Sequence, residues 1–167
     1  MSAAVELCDA VADLHSTGWV HADLQPSHGL HTPHGVHLID LAWAWRPGFD
    51  PADNFKGGIV HVLAPGTAAD VTSGMRRIWV TPEAEAYSLA GTLWTCITGR
   101  WPLDYDAAGI KSDAGLDERR AQIAKRSLPF DTARPWPELR QVLLDVLRAE
   151  PDDRPTAAEL GVALAAV

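Results

Sequence analysis

Apolar side chains at Ala4, Leu7, Cys8, Val11 and Leu14 recur in steps of three and four, the spacing of one helix face. They predict a helix over residues 3–15, with Ser2 placed to cap it. Beyond Gly18 that period stops, and Gly29-Leu30-His31 and Val36-His37-Leu38-Ile39 flank the turn-forming Thr32-Pro33-His34-Gly35, which predicts two short strands in a hairpin. From Leu41 to Thr81 the chain is rich in Gly, Pro and Ala with weak periodicity, as expected of a long, partly ordered surface segment. Thr81-Pro82 then supplies an N-cap and first helical position, Tyr87, Ala90, Leu93, Trp94 and Ile97 form a second helical face, and Gly99 stops it. Leu116 to Ser127, Pro137 to Arg148 and Thr156 to Val167 read as three more helices. The expected fold is therefore mainly α with one short β-hairpin, and there are no internal repeats.

Composition narrows the picture. The 167 residues, 47% hydrophobic, suffice for one substantial core, so residues 1–167 are expected to form a single domain. A net charge of -8 argues against nucleic acid as a partner, because binding a phosphate backbone rests on a basic face. No apolar run approaches a membrane span and the first residues lack the pattern of a signal peptide, so the chain reads as cytoplasmic, with no membrane partner. Cys8 and Cys96 fall in separate predicted helices and read as buried free thiols. His28, His31, His34 and His37 recur every third residue, but Pro33 and Gly35 turn the chain there, so the imidazoles are expected to diverge and not to hold a metal. Arg76, Arg77 and Lys111 are too sparse for a recognition patch and read as solvated surface.

Candidate chemistry lies in His21-Ala22-Asp23-Leu24-Gln25-Pro26-Ser27-His28 and, beyond the hairpin, Ile39-Asp40-Leu41-Ala42. Either carboxylate could be no more than a loop or turn residue. Together the two stretches resemble the catalytic loop and metal-binding turn of protein kinases, H-R-D-L-K-P-x-N and D-F-G. In that family the first Asp receives the substrate hydroxyl proton and the second holds magnesium. The resemblance covers nearly the whole chain. Glu85-Ala86-Tyr87-Ser88-Leu89-Ala90 is similar to the family's D-V-Y-S-L-G, Thr98-Gly99-Arg100-Trp101-Pro102-Leu103 to T-G-x-x-P-F, and Leu147 through Leu160 to the closing signature with its R-P-T-A intact. It implies the helical C-lobe of a kinase of the bacterial Ser/Thr branch. Because the chain begins at the helix before the catalytic loop, the N-lobe is expected to be absent.

By this resemblance Asp23 and Gln25 are the catalytic candidates, Leu30 and His28 the nucleotide-binding ones, and Asp40 the metal ligand. Several family features are replaced. His28 stands for a magnesium-binding Asn, Gln25 for the loop lysine, Leu41-Ala42 for Phe-Gly and Ala22 for the arginine that receives an activation-loop phosphate. Residues 40–66 contain no Ser, Thr or Tyr, so switching by phosphorylation there is not expected. Gly58 to Gly66 resembles the end of the activation segment, with Thr81-Pro82-Glu83 as a rival. On the favoured first alignment Gly66 replaces the glutamate that pairs with Arg154, leaving Glu83 as a substitute, and Ile59 replaces the threonine that steadies the catalytic Asp.

Two functions follow as expectations. One is a pseudokinase-like docking or scaffold module with weak or no binding of Mg2+ and ATP, presenting a peptide-facing side from Ile59 to Pro65 and along the helix near Leu116 to Ser127. The other is half of a Ser/Thr protein or peptide kinase whose N-lobe comes from a partner chain. Both require a protein or peptide partner. Apolar surface around Leu30, Leu41 and Trp43-Ala44-Trp45 would then favour an obligate complex or a homo-oligomer.

Overall fold

The computed structural model describes residues 2–51, 53–132 and 136–167. They form six α-helices and one two-stranded sheet: α1 (Ser2–Ser16), β1 (Gly29–Thr32), β2 (Gly35–Leu38), α2 (Pro65–Thr72), α3 (Pro82–Thr98), α4 (Leu116–Ala124), α5 (Pro137–Arg148) and α6 (Ala157–Ala165). No helix of the described residues is long and apolar enough to cross a membrane.

The helix ends follow local chemistry. The Thr81 hydroxyl accepts from the Ala84 amide with Pro82 in the first turn of α3, and Gly99 closes that helix at φ 69°, where a side chain would be strained. Thr156 and Glu159 form a reciprocal capping box at α6. The side chain of Ser2, and so the capping expected of it, lies outside the described residues. α4 ends at Ala124, short of Ser127, because Arg126 turns into the left-handed region at φ 52°.

Helix α3 is the central element. Its Tyr87, Leu89, Ala90, Leu93 and Trp94 are buried with Leu7, Cys8 and Val11 of α1, Leu139, Leu143 and Leu144 of α5, and Leu160 and Leu164 of α6. Burial pushes the Cys8 thiol up to about 12, which leaves it inert. Cys96 proves to be exposed, since it follows the point where the buried face of α3 ends.

The segment from Leu41 to Thr81 is more ordered than its composition predicts. It contains α2 and two short 3-10 turns, and Phe55, Ile78 and Val80 are buried with Val20 in a cluster of their own. Trp43 and Trp45 pack on that cluster. The Trp43 ring lies 5.3 Å from Phe55, and the Trp45 indole donates to the Val80 carbonyl at 3.0 Å. Exposed Arg76 and Arg77 are tied down as well, Arg76 to Asp53 and Arg77 to both Asp50 and Asp53.

Candidate functional site

The loop bearing Asp23 runs between α1 and β1, and the hairpin returns the chain so that Asp40 meets it. In the register Leu30 faces His37 and His31 faces Val36, so His31 and His37 lie on opposite faces. Among the described residues no group of three or more His, Cys, Asp or Glu is placed to hold a metal ion.

His28 sits between the two aspartates. Its ring is 3.8 Å from Asp23 Oδ2 on the Nδ1 side and 3.5 Å from Asp40 Oδ2 on the Nε2 side. The Asp23 carbonyl accepts from His28 Nδ1 at 2.8 Å, so that nitrogen carries a proton, while the Gln25 amide donates to His28 Nε2 at 3.0 Å. Gln25 also reaches Asp23 Oδ2 at 3.4 Å. The four sequence candidates Asp23, Gln25, His28 and Asp40 therefore form one cluster. Leu30 stands beside it on the hairpin, 52% exposed.

The two carboxylates have different surroundings. Asp40 is open to solvent and adopts a left-handed backbone, φ 59° and ψ 58°. The Asp23 side chain is only 10% exposed, and its Oδ1 is bonded to no side chain. Burial raises the Asp23 pKa above the usual carboxylate range; the His28 and His21 rings pull it back, Asp40 pushes it up again, and a backbone hydrogen bond from Ile59 lowers it. Ile59, in place of a threonine, brings no hydroxyl to this carboxylate.

A buried carboxylate on α3 holds the loop from below. Glu85, 1% exposed, accepts the His21 amide on Oε2 at 3.0 Å and the Ala22 amide on Oε1 at 2.6 Å, while His15 Nε2 donates to Oε2 at 2.7 Å. These bonds fix Ala22 in the left-handed region at φ 68°, which an alanine adopts only under constraint. His21, fully buried, donates from Nε2 to the Ile39 carbonyl at 3.0 Å and so ties the loop to the residue before Asp40. Sequence analysis assigned Glu85 no role. The available signal was its place at the head of the Glu85-Ala86-Tyr87-Ser88-Leu89-Ala90 motif.

Arg154 does not find the Glu83 carboxylate expected of it. Its Nη1 donates to the Glu83 backbone carbonyl at 3.1 Å, and Nε and Nη2 are buried without partners. Of the predicted peptide-facing stretch, Val60, Val62, Leu63, Ala64 and Pro65 are buried, because they pack under α2, α3 and α4. What faces outward between that stretch and α4 is an open groove of about 360 Å³. There His61 stacks on Trp101 at 4.3 Å and meets the Tyr105 hydroxyl at 3.2 Å.

Magnesium takes oxygen ligands in octahedral geometry. Here the exposed Asp40 carboxylate offers oxygen, but the place beside it holds a buried imidazole whose Nε2 is already engaged by Gln25. This donor set does not fit a magnesium ion held by two side chains.

No protein-family model matches the chain. Curated relatives do. It is 30% identical over 158 residues to the probable serine/threonine-protein kinase PkwA of Thermomonospora curvata, covering 94% of this chain and 19% of that protein. It is also 30% identical over 173 residues to serine/threonine-protein kinase PknK of Mycobacterium tuberculosis, covering 96% and 14%. Serine/threonine-protein kinase mos of Gallus gallus is 29% identical over 161 residues, covering 92% and 44%. The chain thus spans less than half the length of each of these three relatives. It is protein-kinase-like over most of its own length, and its helices and single hairpin are those expected of a kinase C-lobe.

Proposed function

We propose that this chain is a pseudokinase-like docking module with weak or no binding of Mg-ATP. The observation that carries this reading is His28. With Gln25 it fills the gap between Asp23 and Asp40 with an imidazole, where phosphate and metal need oxygen donors and positive charge. The exposed apolar face of Leu30, Ile39 and Leu41 beside the site suits coverage by protein. The groove bounded by His61, Trp101 and Tyr105 suits an extended peptide.

Calorimetric titration with Mg-ATP of the chain, of Asp40→Asn and of His28→Asn tests this. The expected result is little heat from the first two and a gain of magnesium-dependent binding in His28→Asn, which returns an oxygen donor. Strong binding by the unaltered chain that disappears in Asp40→Asn would sink the reading.

One observation favours a second reading, half of a Ser/Thr kinase completed by another polypeptide. Asp23 Oδ1 is buried and bonded to no side chain, as a base awaiting a hydroxyl proton would be. Phosphate transfer to a Ser/Thr peptide, lost in Asp23→Asn, would establish it.

A further inference from the structure

A separate cavity of about 170 Å³ lies where α2, α3, α4 and α5 converge, walled by Pro65, Tyr87, Ile123, Leu128, Phe130 and Leu147 among others. Its walls are apolar except for two arginines, Arg126 and Arg148. Arg126 is committed, donating to the Arg148 and Ala149 carbonyls and to Glu150 Oε1 at 2.7 Å. Arg148 lies over the Phe130 ring, its Cζ 5.6 Å from the centroid, and makes no ion pair among the described residues. A third cation stands behind the Tyr87 wall. Arg154 is 8% exposed, its Cζ is 5.2 Å from the Tyr87 ring, and two of its guanidinium nitrogens lack partners. Burial and the nearby charge of Arg126 lower the Arg154 pKa, while Tyr87, Glu150 and Glu83 pull it back up.

We propose that this cavity binds a small amphiphilic carboxylate, one aromatic ring or short alkyl chain in the apolar space with its anion against Arg148 at the rim. Size, sign and shape each favour that class. An apolar cavity of about 150 Å³ accommodates a single aromatic ring. At the rim Arg126 is paired with Glu150, whereas Arg148 makes no ion pair among the described residues and is the guanidinium available to an anion. The planar guanidinium matches a carboxylate with two parallel hydrogen bonds, and a monoanion is less costly to desolvate beside an apolar wall than a phosphate dianion. The site is independent of the aspartate cluster, so it stands or falls apart from the docking reading.

The probe is benzoate, titrated into the full chain while the methyl resonances of Ile123, Leu128 and Leu147 are followed by NMR, with neutral benzamide as the control. Saturable shifts of those methyls are expected with benzoate, with affinity about tenfold weaker for benzamide and for benzoate on Arg148→Gln, the scale of one charge-assisted hydrogen bond. Arg148 is exposed, so its replacement leaves the fold in place. Leu128→Phe, which fills the cavity, should abolish the shifts. Absence of saturable shifts at millimolar benzoate, equal affinity for benzamide, or shifts confined to other methyls would each overturn the proposal and leave a packing void.

Discussion

The Ala22 amide donates to Glu85 Oε1 at 2.6 Å while Ala22 itself is held at φ 68°. The strained residue and its anchor are 63 positions apart, so the loop conformation that presents Asp23 is a tertiary product. Glu85 belongs to α3, the helix around which the main core is packed. The loop therefore takes its position from the helix at the centre of the main core.

Glu85→Gln removes the charge from a buried group that accepts three hydrogen bonds, and an amide supplies one oxygen where two are used. A loss of about 2–4 kcal/mol is expected. In urea unfolding it should lower the midpoint without changing the slope. A loss under 0.5 kcal/mol, roughly that of an ordinary surface change, would mean the anchor is dispensable.

Gly58 sits at φ 58°, and a β-carbon on it would collide with Asp23 Oδ1. Gly58→Ala combines left-handed strain with displacement of the carboxylate, for a cost of about 1–3 kcal/mol. The carboxyl carbon-13 resonance of Asp23 should shift in its titration, whereas alanine placed at the exposed Gly66 should leave that resonance unchanged.

Asp23 has a raised pKa in the folded state, with burial as its first cause. A raised carboxylate pKa means that the folded chain holds this proton more tightly than the unfolded one. Its contribution is complete below the unfolded value and is lost as pH rises through the folded value, so at neutral pH the ionised group is a burden. Asp23→Asn should therefore stabilise the fold at pH 7, by about 1 kcal/mol. The difference from the unaltered chain should vanish near pH 3, and melting temperatures at the two pH values would show it.

His61 behaves in the opposite sense. Burial, helped by Arg119, lowers its pKa from 6.5 to about 4. The unfolded chain binds this proton more readily, so stability from His61 is full above pH 6.5 and declines as pH falls toward 4. Solvent at its open side should hold the slope below about 1 kcal/mol per pH unit. His61→Phe should flatten the stability profile between pH 4 and 6.5, and an unchanged profile would exclude His61 as its source.

Local signals made much of the fold legible. Thr81-Pro82 and Gly99 bound α3 because a cap and a glycine act within a few residues, and α5 runs from Pro137 to Arg148 as its apolar spacing predicts. Helix α2 was not legible. It is eight residues long with Gly66 in its first turn, and its burial comes from packing against α4, while Pro65 was the one available sign. The site divides in the same way. Asp23, Gln25, His28 and Asp40 lie within one stretch of motif and were found together. Glu85 and Gly58 act on that stretch from distant parts of the chain, and the bond from Arg154 to the Glu83 backbone carbonyl depends on packing that no local pattern encodes.

Val20 and Trp45 exchange both backbone hydrogen bonds, at 2.9 and 3.0 Å, just outside the stretch that carries Asp23, His28 and Asp40. That clasp turns residues 20–45 into a closed ring, stapled to the hydrophobic cluster by the Trp45 indole. A protease cutting near Pro47-Gly48 would sever the chain outside the ring, and the aspartate cluster would survive the nick as one piece.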